Sequence, residues 1–228
     1  MNKFFNSDNP FMRVMSKVFD MGWLSLIYVV FCLPVVTIGA ATTSLYYVSA
    51  KVLRHNRSYV WREFWSCFKL NFAQSTIIWL VMAVIYLLLS WNIQLLGVTD
   101  EATASNPYGG YLSGAYLALG VIIFCIGCYV FPLISRFSMK ITKILRFSLF
   151  CAFRHFLHTL VLAAILALAA VGMFTGFYTQ IIIINFLVPG LAGFLYTFPM
   201  EHVMKKYMPK EEKQFDSEGT EINKWYNE

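Results

Sequence analysis

Residues 155–200 read HFLHTLVLAAILALAAVGMFTGFYTQIIIINFLVPGLAGFLYTFPM, without one Asp, Glu, Lys or Arg. A span needs about 20 apolar residues to cross about 30 Å of hydrocarbon, so this stretch holds two helices. Working outward, charge-free stretches recur at 21–50, 70–99 and 102–135, each long enough for one span. The pattern predicts an all-α, polytopic transmembrane helical bundle of about five spans, near 22–44, 76–96, 112–134, 156–176 and 181–199. The last two are joined only by Phe177 to Gln180, which makes them antiparallel neighbours.

Hydrophobic residues make up 58% of the 228-residue chain and charged residues 13%, against about 25% charge in soluble domains. A single membrane domain over 1–207 is expected, followed by a charged cytoplasmic tail, 208–228, of disordered composition. The net charge of +6 gathers in connecting segments as positive-inside bias, so the partner it implies is the lipid bilayer and not nucleic acid. Five cysteines, Cys32, Cys67, Cys125, Cys128 and Cys151, lie in or beside the spans, unlike a secreted disulfide framework. Lys3, Arg13 and Lys17 before an apolar run, with Gly39-Ala40-Ala41 after it, have the outline of a signal peptide. Continuation of the run to Ala50 favours retention as a membrane helix.

Apolar residues at 11, 14, 15, 18 and 19 share one helical face, predicting a short surface helix over 10–20. Pro34 should kink or break the first span. Trp61, Phe64, Trp65, Phe68 and Phe72 beside Arg62 and Lys69 predict an interfacial aromatic-basic helix, and Arg136, Lys140, Lys143 and Arg146 a second amphipathic one. Five Lys or Arg in 51–69, five in 136–154 and none in 97–111 place both basic segments and the C-terminus in the cytoplasm. Parity over five spans then sends the N-terminus outside. The competing solution is a first segment that breaks at Pro34 and re-enters, keeping both its ends inside. An internal echo, Phe31-Cys32-Leu33-Pro34 and Tyr129-Val130-Phe131-Pro132, each followed by a basic segment, favours the full crossing.

The run Leu33-Pro34-Val35-Val36-Thr37-Ile38-Gly39-Ala40, then Leu45-Tyr46-Tyr47, Lys51, Phe64, Phe68-Lys69 and Asn71-Phe72, resembles the YesL family of bacterial membrane proteins over roughly residues 1–207. The resemblance implies a multi-pass protein of the bacterial plasma membrane with no assigned biochemical activity. Genes of that family often lie near carbohydrate uptake and degradation systems, so sugar utilisation is the implied context. No Glu-Ala-Ala type coupling loop of an ABC importer permease is present.

Pro34, Thr37 and Gly39 form the candidate ligand site, because a broken helix exposes carbonyls; the alternative is a packed kink. Cys125 and Cys128 lack a second thiol pair, and His155 with His158 lacks further metal ligands, so neither a metal nor a cofactor is expected. No intramembrane charge suggests ion coupling, and no catalytic set can be assembled, so no enzyme is expected. Gly172 and Gly176 offer a close-packing face for another helix, most simply the span beside it, or for a second copy in a homo-oligomer. Trp61, Arg62, Phe68, Lys69, Arg136, Lys140 and Lys143 form the candidate cytoplasmic interface. The expected function is a non-enzymatic accessory or regulatory component of carbohydrate uptake, contacting a membrane transporter partner. The alternatives are a small substrate-binding transporter subunit with a cavity near Pro34, and a lipid-contacting scaffold.

Overall fold

The computed structural model describes residues 10–54, 59–95, 107–137, 139–178 and 182–207, with side chains described from Met15 onward except at 107–110, 177 and 182–186. The acidic segment at Asp100 and Glu101, residues 179–181 of the connection between the last two helices, the Asn185 side chain and the tail 208–228 lie outside the described residues. Among the described residues, regular structure is entirely helical. The order is α1 (Pro10–Cys32), a 3-10 turn (Val35–Thr37), α2 (Ile38–Val48), a π-helical continuation (Ser49–Arg54), α3 (Val60–Leu95), α4 (Pro107–Arg136), α5 (Ile141–Arg154), α6 (Phe156–Tyr178) and α7 (Ile182–Tyr207).

Among the described residues, four helical segments are long and apolar enough to cross a membrane: Met15–Cys32, Val60–Leu95, Tyr111–Arg136 and Phe156–Gly176. The expected span at 22–44 is not one helix. It divides at Cys32–Thr37, because Pro34 has no N–H to continue the helical ladder. The surface helix expected over 10–20 is the beginning of α1, and the aromatic-basic helix at 61–72 runs without interruption into the next span as α3. No Gly or Pro interrupts 60–95, so nothing in that sequence stops the helix where its polarity changes. The segment expected at 181–199 lies in α7, which carries Pro189 and Pro199 and ends in Lys205 and Lys206.

Beyond the break, α2 folds back along α1. Tyr28 Oη lies 3.4 Å from Thr42 Oγ1, and Met21, Leu24 and Ile27 share a buried cluster with Ala40, Ala41, Leu45 and Val48. Small and hydroxyl residues make α2 the most enclosed helix: Ala40, Ala41, Thr43, Ser44 and Val48 are all fully buried, as are Ser49 and Ala50 of the π-helical continuation. Thr43 and Ser44 return their hydroxyls to the carbonyls of Gly39 and Ala40, so burial leaves these donors paired. A second apolar cluster joins the C-terminal half of α4 to α5, α6 and α7 through Tyr129, Leu133, Ile144, Leu162 and Met200.

Two glycines set how closely the hairpin is gripped. A Cβ on Gly39 would stand 2.6 Å from the Ser75 carbonyl oxygen and 2.6 Å from Trp79 Cβ, both on α3. On α7, a Cβ at Gly190 would collide with the Met21 carbonyl oxygen of α1. Ser25 Oγ completes that crossing, accepting from the Gly190 N–H at 2.6 Å and donating to Met21 O at 2.9 Å. Gly39→Ala and Gly190→Ala should each destabilise the detergent-purified protein by about 1–3 kcal/mol, whereas Gly114→Ala, with nothing within 4 Å, should leave the melting midpoint unchanged. Thermal unfolding in one detergent checks all three.

Candidate functional site

The break at Pro34 arranges its own backbone partners. Thr37 N donates to Pro34 O at 3.0 Å, and Thr37 Oγ1 lies 2.5 Å from Phe31 O and 2.7 Å from Pro34 O. The Trp79 indole N–H, from α3, donates to Val35 O at 2.8 Å. These donors occupy carbonyls that a ligand would have needed. Pro34 itself is exposed, as are Leu33, Val35 and Val36, while Gly39 is buried against α3.

Pro132 creates a similar need inside α4, because it has no N–H for the carbonyl of Cys128 four residues earlier. Tyr196 of α7 supplies the donor, its hydroxyl 2.5 Å from Cys128 O and fully enclosed between the helices. Substituting Tyr196→Phe should cost about 1–3 kcal/mol, the penalty for a buried acceptor left without a donor. A lowered melting midpoint with unchanged helical circular dichroism would register it.

The charges the interior does contain meet at one end of the bundle. Glu201 of α7 is 3% exposed and lies between two guanidiniums: Arg136 Nη2, closing α4, at 2.5 Å, and Arg54 Nη1, closing the π-helical segment, at 2.9 Å. Both arginines sit at helix C-termini, where the backbone dipole favours a cation. Arg54 also donates to Thr197 O at 3.2 Å. Aromatic faces accompany both, with Arg54 Cζ 5.0 Å from the Phe198 ring centroid and Arg136 Cζ 5.9 Å from that of Tyr46. Lys51, in the same π-helical segment, instead meets Glu63 of α3, its Nζ 2.8 Å from the carboxylate.

One carboxylate of α7 thus holds together the ends of the π-helical segment and of α4. Burial at this depth makes a half-broken cluster costly: Glu201→Ala, leaving two cations uncompensated, should destabilise by about 3–5 kcal/mol. The triple variant Arg54→Met, Arg136→Met, Glu201→Leu should recover most of that loss, since apolar replacement of a whole buried ion cluster is often neutral. Chemical or thermal unfolding of the two variants side by side distinguishes them.

Of the seven residues expected at a cytoplasmic interface, five are on the surface: Trp61, Arg62, Lys69, Lys140 and Lys143. Lys69 Nζ stands 4.7 Å from the centroid of the Trp65 ring, which stacks on Trp61. Phe68 points inward, 7% exposed, with its ring 4.9 Å from Phe31, and Arg136 belongs to the buried cluster. Gly172 meets Val188 of α7, a neighbour across the α6–α7 pair, and Gly176 is buried. The cysteines described are free, and no group of three metal-ligating side chains occurs among the described residues.

The Glu201 cluster was not anticipated from sequence. Arg136 and Glu201 stand at the edges of charge-free stretches and register there as boundaries, and Arg54 is one of five cations in the basic segment 51–69. The available signal was one acidic residue two positions after Pro199 in a segment whose other charges, Lys205, Lys206 and Lys210, are basic. No match to the chain was found among curated proteins or among solved structures. A family model described as a protein of unknown function, DUF624, matches residues 21–93, which take in the end of α1 from Met21, the Pro34 hairpin and almost all of α3.

Proposed function

We propose that this chain is a non-enzymatic integral membrane component, YesL-like in kind, that is accessory to carbohydrate uptake or utilisation and binds a membrane transporter partner. The observation that carries the proposal is the platform of exposed cations and tryptophans, Trp61, Arg62, Trp65, Lys69, Lys140 and Lys143, contributed by α3 and by α5 with the residue before it. Gln74 of α3 donates to Met139 O at 3.0 Å and ties the two contributors together. The Arg54–Glu201–Arg136 cluster fixes the neighbouring helix ends, so the platform stands on an ordered base. The matched residues 21–93 include the positions that carry the YesL resemblance, and sugar utilisation enters as that family's context.

The basic platform is assigned to the cytoplasmic face of a bacterial plasma membrane under the positive-inside rule. Return of α2 along α1 favours a cytoplasmic start for α1, in place of the external N-terminus that five full crossings required. The paired carbonyls at Pro34 favour an accessory role over a substrate cavity there.

Cross-linking in intact cells, followed by purification in mild detergent and mass spectrometry, should recover a transport component. The variant Arg62→Gln, Lys69→Gln, Lys140→Gln, Lys143→Gln should reduce that recovery by about tenfold or more at unchanged expression, each surface cation contributing up to about 1 kcal/mol. A protein recovered alone from wild-type cells, or equal recovery with the variant, would overturn the proposal.

A further inference from the structure

Away from the Glu201 cluster, three helices bring a second set of titratable groups to one corner. His155 lies at the α5–α6 junction, His158 in the first turn of α6, and His202 near the end of α7. The rings of His158 and His202 are stacked, 5.4 Å apart and 6° from parallel, and His155 meets His158 edge-on at 5.7 Å. His155 Nε2 is 3.0 Å from Tyr207 Oη. Arg154 contributes from α5 and Lys206 from α7. Glu201, next to His202 in sequence, faces the other way and is held by its two arginines.

The electrostatics of this corner are one-sided. Burial, then His158, Lys206, Arg154 and His202, push the His155 pKa below 6.5, because each neighbour is cationic when charged. Cations held together in this way favour an anion among them. Beside them the surface is apolar: Phe153 near the end of α5, and Phe156, Leu157, Leu160 and Val161 at the start of α6, a helix long and apolar enough to cross a membrane, are each at least half exposed. A cationic corner continuous with an apolar face matches a molecule with an anionic head and hydrocarbon tails.

We propose that His155, His158 and His202, with Arg154 and Lys206, form a pH-dependent binding site for the phosphate of an anionic membrane phospholipid, whose acyl chains lie along Phe153, Phe156 and Leu157. Imidazolium N–H groups and the guanidinium donate to the phosphate oxygens, and Lys206 adds charge. Bound phosphate favours the protonated rings, so binding takes up protons and strengthens as pH falls. Without an anion the sign is opposite: the depressed His155 pKa contributes stability above 6.5 that is lost as pH falls through the folded-state value.

The test uses the full chain in a neutral detergent. Binding of a short-chain phosphatidylglycerol, the matching phosphatidylcholine and inorganic phosphate is followed by native mass spectrometry between about pH 8 and about pH 5.5. Phosphatidylglycerol keeps one negative charge over that range, so a pH effect reports on the protein. Its affinity should rise about tenfold on acidification, while phosphatidylcholine stays weak at every pH. His158→Gln with His202→Gln should flatten the rise at an unchanged melting midpoint. A flat wild-type profile overturns the proposal even if the variant fails to fold. So does a variant that keeps the wild-type rise, and so does inorganic phosphate bound as tightly as the lipid.

Discussion

A buried carboxylate between two guanidiniums is the constraint on which the arrangement of this bundle depends. Apolar contact alone discriminates poorly among helix pairings in lipid, because hydrocarbon tails offer an environment as apolar as a neighbouring leucine. A charge withdrawn from water has few acceptable positions. Glu201 satisfies the ends of the π-helical segment after α2 and of α4 at once, which sets the depth of both relative to α7. Buried ion clusters are weak sources of stability but strong sources of specificity when only one registry pairs every charge. Beyond the end of α4 that Arg136 closes, Gln74 of α3 meets the approach to α5 at Met139 O.

Around that point the interior repeatedly answers a backbone group freed by irregularity with a side chain from another helix. Pro132 leaves Cys128 O for Tyr196, and the break at Pro34 leaves Val35 O for Trp79. Ser25 accepts from Gly190 where α1 and α7 press together. Each solution joins two elements and closes an acceptor or donor that lipid cannot satisfy. The polar residues of α2 therefore act mainly as packing groups. Surface chemistry remains at the cation-rich end, where tryptophans, lysines and histidines meet the expected membrane boundary.

Legibility in the sequence followed the length scale of the physics. Absence of charge over 155–200 announced α6 and α7, because the cost of burying charge in hydrocarbon acts on every residue of a span. Pro34 announced a break. It did not say whether the chain would bend and continue or fold back, since the same missing N–H permits both. That choice was made by Gly39 against Ser75 and by Gly190 against Met21, contacts between residues far apart in sequence. Phe68 and Arg136 share the composition of the exposed platform, yet both point inward, and helical spacing did not separate them from Trp61 or Lys69.

By itself, then, the amino-acid order determined the helical class, the approximate membrane segments and the concentration of cations in particular connectors, because these follow from local hydropathy and charge summed over 20 or so neighbours. Only tertiary structure decided that the first segment is a hairpin, that α3 is continuous from Val60 to Leu95, and that Arg54, Arg136 and Glu201 form one cluster. It also brought His155, His158 and His202 to one corner. The reason is that pairing between distant residues depends on which helix faces meet and at what depth, and no window along the chain contains that information.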